Sequence, residues 1–382
     1  MEKKDLSVYR EKIDGIDREL VRLFAERMEV AEAIGTYKRE MGLPVLDAAR
    51  ERAKLAEVAD MAPEEMQDYT KVLYSLLFEL SRSHQQTLQT GENLLFGQVK
   101  NAIDNTPALF PEDAIVACQG TEGAYSTSAA EKLFRTPRIM YCKTFEAVLN
   151  AVETGLCRYG LLPVENSTAG IVQGVYKLLE NHTFYIVRAV RVKVDHNLLA
   201  RKGAKLENIR EVISHEQAIN QCSALLDSLG VKVSYCENTA VAAKIVAESG
   251  RDDLAALSSS ACGVLYGLDN LKSAAQNVGN NYTRFICVSR DLEIYPGADR
   301  TTLMLETENR PGALYKLLAR FYARGINLTS LVSKPIPERE FSFRFYFDLD
   351  TSVYSDSFAQ LMCELDSLCP TFRYLGSYRE MI

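Results

Sequence analysis

Two cations, Arg27 and Lys38, stand where a helix should be apolar. Between Leu6 and Arg39 the residues Leu6, Ile13, Ile16, Leu20, Phe24, Ala31 and Ile34 recur at helical spacing. At about 100° per residue, Arg27 and Lys38 fall near the middle of that stripe and Arg10 at its edge. A cation turned toward a core is strongly disfavoured without a partner, so a carboxylate or a bound anion is expected to meet these two. Asp47, Arg50, Glu51, Ser81 and Gln85 follow in the same helical segment. Ser81 and Gln85, one helical turn apart, share a side of their helix. Taken singly, Arg10, Arg50, Glu51, Ser81 and Gln85 are ordinary solvated helix positions; the weight rests on Arg27 and Lys38.

The middle of the chain holds four polar turns: Gly120-Thr-Glu-Gly123-Ala-Tyr-Ser126, Glu165-Asn166-Ser167-Thr168-Ala-Gly170, Ser214-His215-Glu-Gln217 through Gln221, and Asn280-Asn-Tyr-Thr283-Arg284-Phe285. Each lies at the end of an apolar strand candidate. A glycine turn leading into a helix lets backbone N–H groups approach an anion, although any strand-to-helix turn can contain glycines. Several polar turns at strand ends of one α/β unit describe a ligand cleft without revealing its reaction. Near the C-terminus, Arg310-Pro311-Gly312-Ala313-Leu314 marks a further strand-to-helix turn.

The elements that must position these groups come in three textures. Residues 1–90 are helical in pattern, with breaks at Gly42-Leu43-Pro44 and Pro63 and an N-cap at Asp47. Residues 91–112, with Pro107 and Pro111 and weak periodicity, read as a linker. Residues 113–295 alternate strands with helices, which predicts an α/β domain of largely parallel pairing. Its size allows two lobes, the second spanning about 193–272. From 299 to 382 the order is β-α-β-β-α-β, the ferredoxin-like arrangement.

Composition narrows the function classes. A net charge of −7 and a pI near 5.4 argue against nucleic acid as the main partner. No apolar run is long enough for a bilayer and no N-terminal signal pattern is visible, so no membrane partner is expected. Nine cysteines with no CxxC pair fit reduced thiols in a cytoplasmic protein. The four histidines carry no metal-ligand spacing, and no metal or cofactor is expected.

The helical segment, through Arg10-Glu-Lys-Ile, Ala25-Glu-Arg27, Gly35-Thr-Tyr-Lys38, Pro44-Val-Leu-Asp47 and Arg50-Glu51, resembles the all-helical chorismate mutase family. The resemblance implies rearrangement of chorismate to prephenate. It implies carboxylate clamps at Arg10, Arg27 and Arg50, and ether-oxygen donors at Lys38 and Gln85. Asp47 and Glu51 would hold the ring hydroxyl and its network, and Ser81 would assist a carboxylate. It also implies an intertwined dimer in which Arg10 crosses to the partner's site. The four polar turns resemble prephenate dehydratase, with Thr121 where many members have proline. That family's two-lobed fold is like periplasmic binding proteins, with the site between lobes. The resemblance implies Thr283 as donor to the departing hydroxyl. Ser126, Glu165, Asn166, Ser167, Ser214, Gln217, Gln221, Arg284 and Phe285 would bind prephenate or shape its pocket. The tail resembles an ACT regulatory domain, which implies an L-phenylalanine site at Arg310, Pro311, Gly312, Ala313, Leu314 and Ser333. The second motif of that family is here Val332-Ser333-Lys334-Pro335, lacking its acid and its arginine.

Together these readings predict a bifunctional enzyme of phenylalanine synthesis acting as a dimer or dimer of dimers. The two activities are consecutive, which strengthens both. A monofunctional prephenate dehydratase with a helical dimerisation domain is the alternative, opposed by retention of every polar position in the helical segment. A solute-binding protein lacks a use for Thr283-Arg284-Phe285, and a transcriptional regulator lacks a basic recognition helix.

Overall fold

Residues 6–89, 94–172, 174–307, 309, 311–336 and 342–382 are described by the computed structural model of the chain. Three helices come first: α1 (Leu6–Glu40), α2 (Ala48–Asp60) and α3 (Gln67–Gln89). α1 stops where Gly42 adopts φ +65°, and the Leu43 N–H donates back to the Lys38 carbonyl at 2.8 Å. Asp47 caps α2, accepting from the Arg50 N–H at 2.9 Å. Both α1 and α2 pack on α3. The apolar stripe of α1, however, does not face a core of its own chain. Leu6, Ile13, Ile16 and Leu20 are each more than half exposed, and only Ala31 and Gly35 of α1 are buried. The reason is length: α1 has 35 residues and α3 has 23, so the N-terminal part of α1 outruns its neighbour.

The segment read as a linker contains a helix instead, α4 (Leu94–Asn105). Its Val99 and Ala102 are buried with Leu303, Phe347 and Phe358 of the C-terminal domain, so α4 closes one side of that core.

Two lobes follow. The first has strands β1 (Asp113–Gln119), β2 (Thr136–Cys142), β3 (Tyr159–Asn166), β4 (Gly170–Ile171) and β5 (Tyr185–Lys193), with helices α5 (Tyr125–Leu133), α6 (Phe145–Glu153) and α7 (Val175–Asn181). The second has β6 (Asn197–Ala200), β7 (Glu211–Ser214), β8 (Lys232–Tyr235), β9 (Leu254–Ser258) and β10 (Asp269–Lys272), with α8 (Glu216–Gln221), α9 (Ser223–Leu229), α10 (Thr239–Glu248) and α11 (Ser260–Tyr266). The chain then returns as β11 (Tyr282–Ser289), antiparallel between β3 and β5. Among the described residues, parallel pairing is limited to β1 with β2 and β3, β7 with β8 and β9, and one short strand from the C-terminus. The expectation of a largely parallel sheet fails because the strands that carry the chain between lobes run against their neighbours.

The last domain contains β12 (Arg300–Glu306), α12 (Ala313–Ala323), β13 (Asn327–Pro335), β14 (Phe343–Asp350), α13 (Asp356–Leu368) and β15 (Thr371–Tyr378). Its antiparallel sheet runs β13-β14-β12-β15, the ferredoxin-like order. The final strand, β16 (Glu380–Met381), leaves that sheet and pairs parallel with β5 of the first lobe. Gly376 makes the crossing possible: its φ is +136°, and a Cβ there would stand 2.3 Å from the Ile186 carbonyl oxygen of β5. Among the described residues, no helix is long and apolar enough to cross a membrane.

Candidate active sites

Arg27, Ser81 and Gln85 meet where α1 crosses α3. Arg27 Nη1 donates to the Leu77 carbonyl at 3.3 Å and to Ser81 Oγ, and its guanidinium lies 5.7 Å from the centre of the Phe78 ring. Gly35 permits the crossing, since a Cβ on it would lie 2.9 Å from Gln85 Cγ. Ser81 and Gln85 are buried. Lys38 Nζ donates to the Val45 carbonyl at 2.6 Å, tying the chain ahead of α2 to α1. Among the described residues, Arg27 and Lys38 are thus held by neutral oxygens, with no carboxylate paired to either. Asp47 spends a carboxylate oxygen on its cap, and Arg50 is exposed. The Glu51 carboxylate meets Arg82 of α3. Arg10 is exposed at the far end of α1, about 26 Å along the helix axis from Arg27 at 1.5 Å per residue. One chain does not bring Arg10 to Arg27.

The second site lies between the lobes. A cavity of about 170 Å³ is lined by polar groups, among them Tyr125, Asn166, His196, His215, Gln217, Gln221, Asn238, Thr239 and Thr283. A chain of fixed amides sets its chemistry. Asn166 Oδ1 accepts from the Thr168 and Ala169 N–H groups at 3.1 and 2.9 Å, which determines which way the amide points. Its Nδ2 therefore donates, to Thr283 Oγ1 at 3.0 Å and Asn281 Oδ1 at 2.8 Å. Because Thr283 accepts from Asn166, its own hydroxyl proton is available to the cavity. Asn281 Nδ2 in turn donates to Gln221 Oε1 at 3.0 Å, and His196 Nε2, 2.9 Å from the same oxygen, carries the proton of that contact. Burial lowers the pKa of His196, partly offset by the bond to Gln221, so the ring is neutral near pH 7. Gln221 Nε2 closes the network on Thr168 Oγ1 at 2.9 Å, joining the second lobe to the first. α10 points its N-terminus at this cavity through Asn238 and Thr239, which favours a bound carboxylate.

A family model described as chorismate mutase type II matches residues 9–86, and one described as prephenate dehydratase matches residues 116–293. The bifunctional chorismate mutase/prephenate dehydratase of Escherichia coli strain K12 is 32% identical, covering 98% of this chain and 96% of its own length. The chain belongs to the bifunctional chorismate mutase/prephenate dehydratase family. The chloroplastic arogenate dehydratase/prephenate dehydratase 2 of Arabidopsis thaliana is 36% identical over 69% of this chain and 72% of its own. A prephenate dehydratase from Arthrobacter aurescens, solved in complex with L-Phe, shares 26% identity at a TM-score of 0.64, covering 69% of this chain and 90% of its own.

With the mutase and dehydratase domains so placed, several sequence-derived assignments need correction. Arg284 does not face the dehydratase cleft. Its guanidinium is buried against Asp348 and 2.8 Å from the Tyr378 hydroxyl, with Nε 3.0 Å from Glu380, all from the C-terminal segment. Burial works against its charge, yet Tyr378 and these carboxylates raise its pKa above the ordinary value. Neighbours on a strand point to opposite faces, so with Thr283 in the cleft Arg284 must leave it. Phe285 is in the sheet core, and Glu165 is exposed outside the cavity. Ser214 is fully buried, donating to the Leu257 carbonyl at 2.6 Å, and Ser126 donates to the Gln119 carbonyl at 2.8 Å; both brace turns. Ser167 clips β3 to the returning chain, donating to the Asn280 carbonyl at 3.0 Å and accepting from the Tyr282 N–H at 2.9 Å. The Gly120–Gly123 turn meets the second lobe, its Gly123 carbonyl accepting from Ser259 Oγ at 2.9 Å.

Tyr125, His196, Asn238, Thr239 and Asn281 were not singled out from sequence as cleft residues. Asn281 and Tyr125 sit inside runs already marked as polar turns; His196 and Asn238 carry no local signal. Of the C-terminal motif, Arg310 lies outside the described residues, while Gly312, at φ +79°, precedes Ala313 and Leu314 in the first turn of α12. Ser333 is exposed, and its neighbours Val332 and Lys334 turn to the dehydratase domain, Lys334 Nζ lying 5.9 Å from the centre of the Tyr176 ring.

Proposed function

We propose that this protein rearranges chorismate to prephenate in its mutase domain and converts prephenate to phenylpyruvate in its dehydratase domain. The observation that carries the second step is the amide-oriented Thr283 hydroxyl in a cleft of polar side chains. Prephenate loses carbon dioxide and its ring hydroxyl together, and aromatisation drives the step. Thr283 donates a hydrogen bond to the departing hydroxyl; its proton is too tightly held for full transfer at neutral pH. Asn166 and Gln221 hold the substrate, while His196, as a neutral ring, fixes Gln221. The mutase step needs no proton transfer. Arg27 clamps a carboxylate, and Lys38 and Gln85 stabilise charge growing on the breaking ether oxygen. Arg10 of a second copy completes that clamp, and the exposed stripe of α1 is the surface on which the two copies pair.

The C-terminal domain is read as an ACT domain that senses L-phenylalanine at the start of α12 and slows the dehydratase. A cytoplasmic location belongs to the same reading. It is supported by free, buried thiols, among them Cys118 and Cys222, whose pKa burial pushes up to about 12. One assay tests the whole: purified protein is given chorismate, and prephenate and phenylpyruvate are followed with and without phenylalanine. Lys38→Ala is expected to lower mutase turnover by at least about 10²-fold and spare the dehydratase. Thr283→Ala is expected to do the reverse, by about 10²–10⁴-fold. Parallel loss of both activities in either variant would refute separate sites.

A further inference from the structure

The C-terminal domain meets the mutase domain through a buried ionic chain. Glu79 of α3 faces three cations: Arg82 of its own helix, and Lys316 and Arg320 of α12, the last at 2.8 Å. Arg320 also reaches Glu364 of α13 at 3.0 Å, a carboxylate it shares with Arg324. At the other end Arg82 meets Glu51 of α2. The Glu79, Arg82 and Arg320 side chains are 11%, 9% and 7% exposed, so water screens these charges weakly. A cavity of about 400 Å³ runs beside the chain, from Leu46, Glu51 and Phe78 to Thr307, Ala313 and Lys316.

Arg82 has two carboxylates to serve. Lys316 and Arg320 satisfy Glu79, which leaves Arg82 able to hold Glu51. Without those two cations, Glu79 would be a buried carboxylate with Arg82 as its remaining partner among these groups, and it would draw Arg82 away. We propose that Arg82 is a positioning residue for Glu51 in the mutase reaction, and that Lys316 and Arg320 of the C-terminal domain set its position. Mutase substrate binding is thereby tuned from the far end of the chain. α12 begins at the Gly312-Ala313 turn, and Lys316 lies in its first turn, so a displacement of that turn reaches Glu51 through Glu79 and Arg82. The inference rests on the reading of Glu51 as a group that holds the ring hydroxyl of chorismate.

Steady-state kinetics of both activities in the full-length protein test it. Glu51 binds the ring hydroxyl, a group that neither makes nor breaks a bond in the rearrangement, so its displacement raises KM more than it lowers kcat. The Lys316→Met/Arg320→Met variant is expected to raise the mutase KM about tenfold, the size of a lost hydrogen bond to a charged group, with kcat and the dehydratase within about twofold. The charge-conserving Lys316→Arg/Arg320→Lys variant is expected to restore KM. Lys316→Met alone, at the more exposed end of the chain, is expected to raise KM by a smaller factor. An unchanged KM in the Met variants, alongside a raised KM in Glu51→Gln, overturns the relay and leaves the role of Glu51 standing. An unchanged KM in Glu51→Gln overturns that role itself. Equal loss of both activities in the Met variants overturns the proposal as well, because it marks the two cations as structural supports.

Discussion

The C-terminal domain is joined to its two neighbours by different physics. Toward the dehydratase the joint includes paired main chain as well as side chains. β16 extends the first-lobe sheet beside β5, Gly376 lies against the Ile186 backbone, and Arg284 is enclosed by Asp348, Tyr378 and Glu380. Toward the mutase, among the described residues, the joint is a set of side-chain ion pairs on Glu79. Paired strands have one register, and a glycine that admits no side chain enforces it. Ion-paired side chains can exchange partners without moving the backbone. The first joint is therefore suited to carrying a displacement rigidly, and the second to redistributing charge.

Three substitutions sharpen or break this contrast. Gly376→Val should have the largest effect. Its Cβ would meet the Ile186 carbonyl at a backbone angle that L-residues avoid, costing about 3–5 kcal/mol in denaturant unfolding of the fused domains. A loss under about 1 kcal/mol would mean that the strands separate freely. Arg284→Met comes next. It leaves Asp348 and Glu380 buried without their shared cation, a loss of about 3 kcal/mol, while mutase kinetics stay as they are. If the variant melts with the parent protein, that ion cluster is not part of the joint. Acid should show the smallest effect. Burial raises the pKa of Glu79, but Lys316, Arg82 and Arg320 outweigh it and hold the carboxyl below its ordinary 4.5. A lowered folded-state value means stabilisation present above pH 4.5 and lost as pH falls from there through that value. The melting temperature should thus drop by a few degrees more in the parent than in Glu79→Gln across that window, and stay parallel from pH 5 to 8. Identical pH profiles would show that Glu79 holds nothing together.

Much of the site chemistry was legible because it is local. Arg27 and Lys38 announced themselves against an apolar stripe, and the run around Asn166 and the run ending at Thr283 each contain the residues that later bond across the cleft. The β-α-β-β-α-β order was readable from hydrophobic period alone. What sequence left hidden depends on distant partners. α4 carries Leu95, Val99, Ala102 and Ile103 at helical spacing, a short pattern followed by two prolines, and what the sequence does not show is that Val99 and Ala102 have Leu303 and Phe347 to bury against. Arg82 and Glu79 look like solvated positions until α12, more than two hundred residues later, supplies Lys316 and Arg320. Arg284 is a different kind of miss, since strand alternation alone already excluded it from the face that Thr283 occupies.

The outward stripe of α1 has a consequence for reaction order. Among the described residues the dehydratase cleft already gathers Tyr125, Asn166, Gln221 and Thr283 within one chain, so under the proposed function its rate per chain does not require a second copy. Under the proposed pairing, the mutase needs Arg10 from a second copy and an interface built from Leu6, Ile13, Ile16 and Leu20. Its rate per chain then falls on dilution. At low abundance such a protein consumes prephenate made elsewhere; at high abundance it makes its own. The balance between the two reactions becomes a readout of gene dosage, set by the affinity of one helix for its copy.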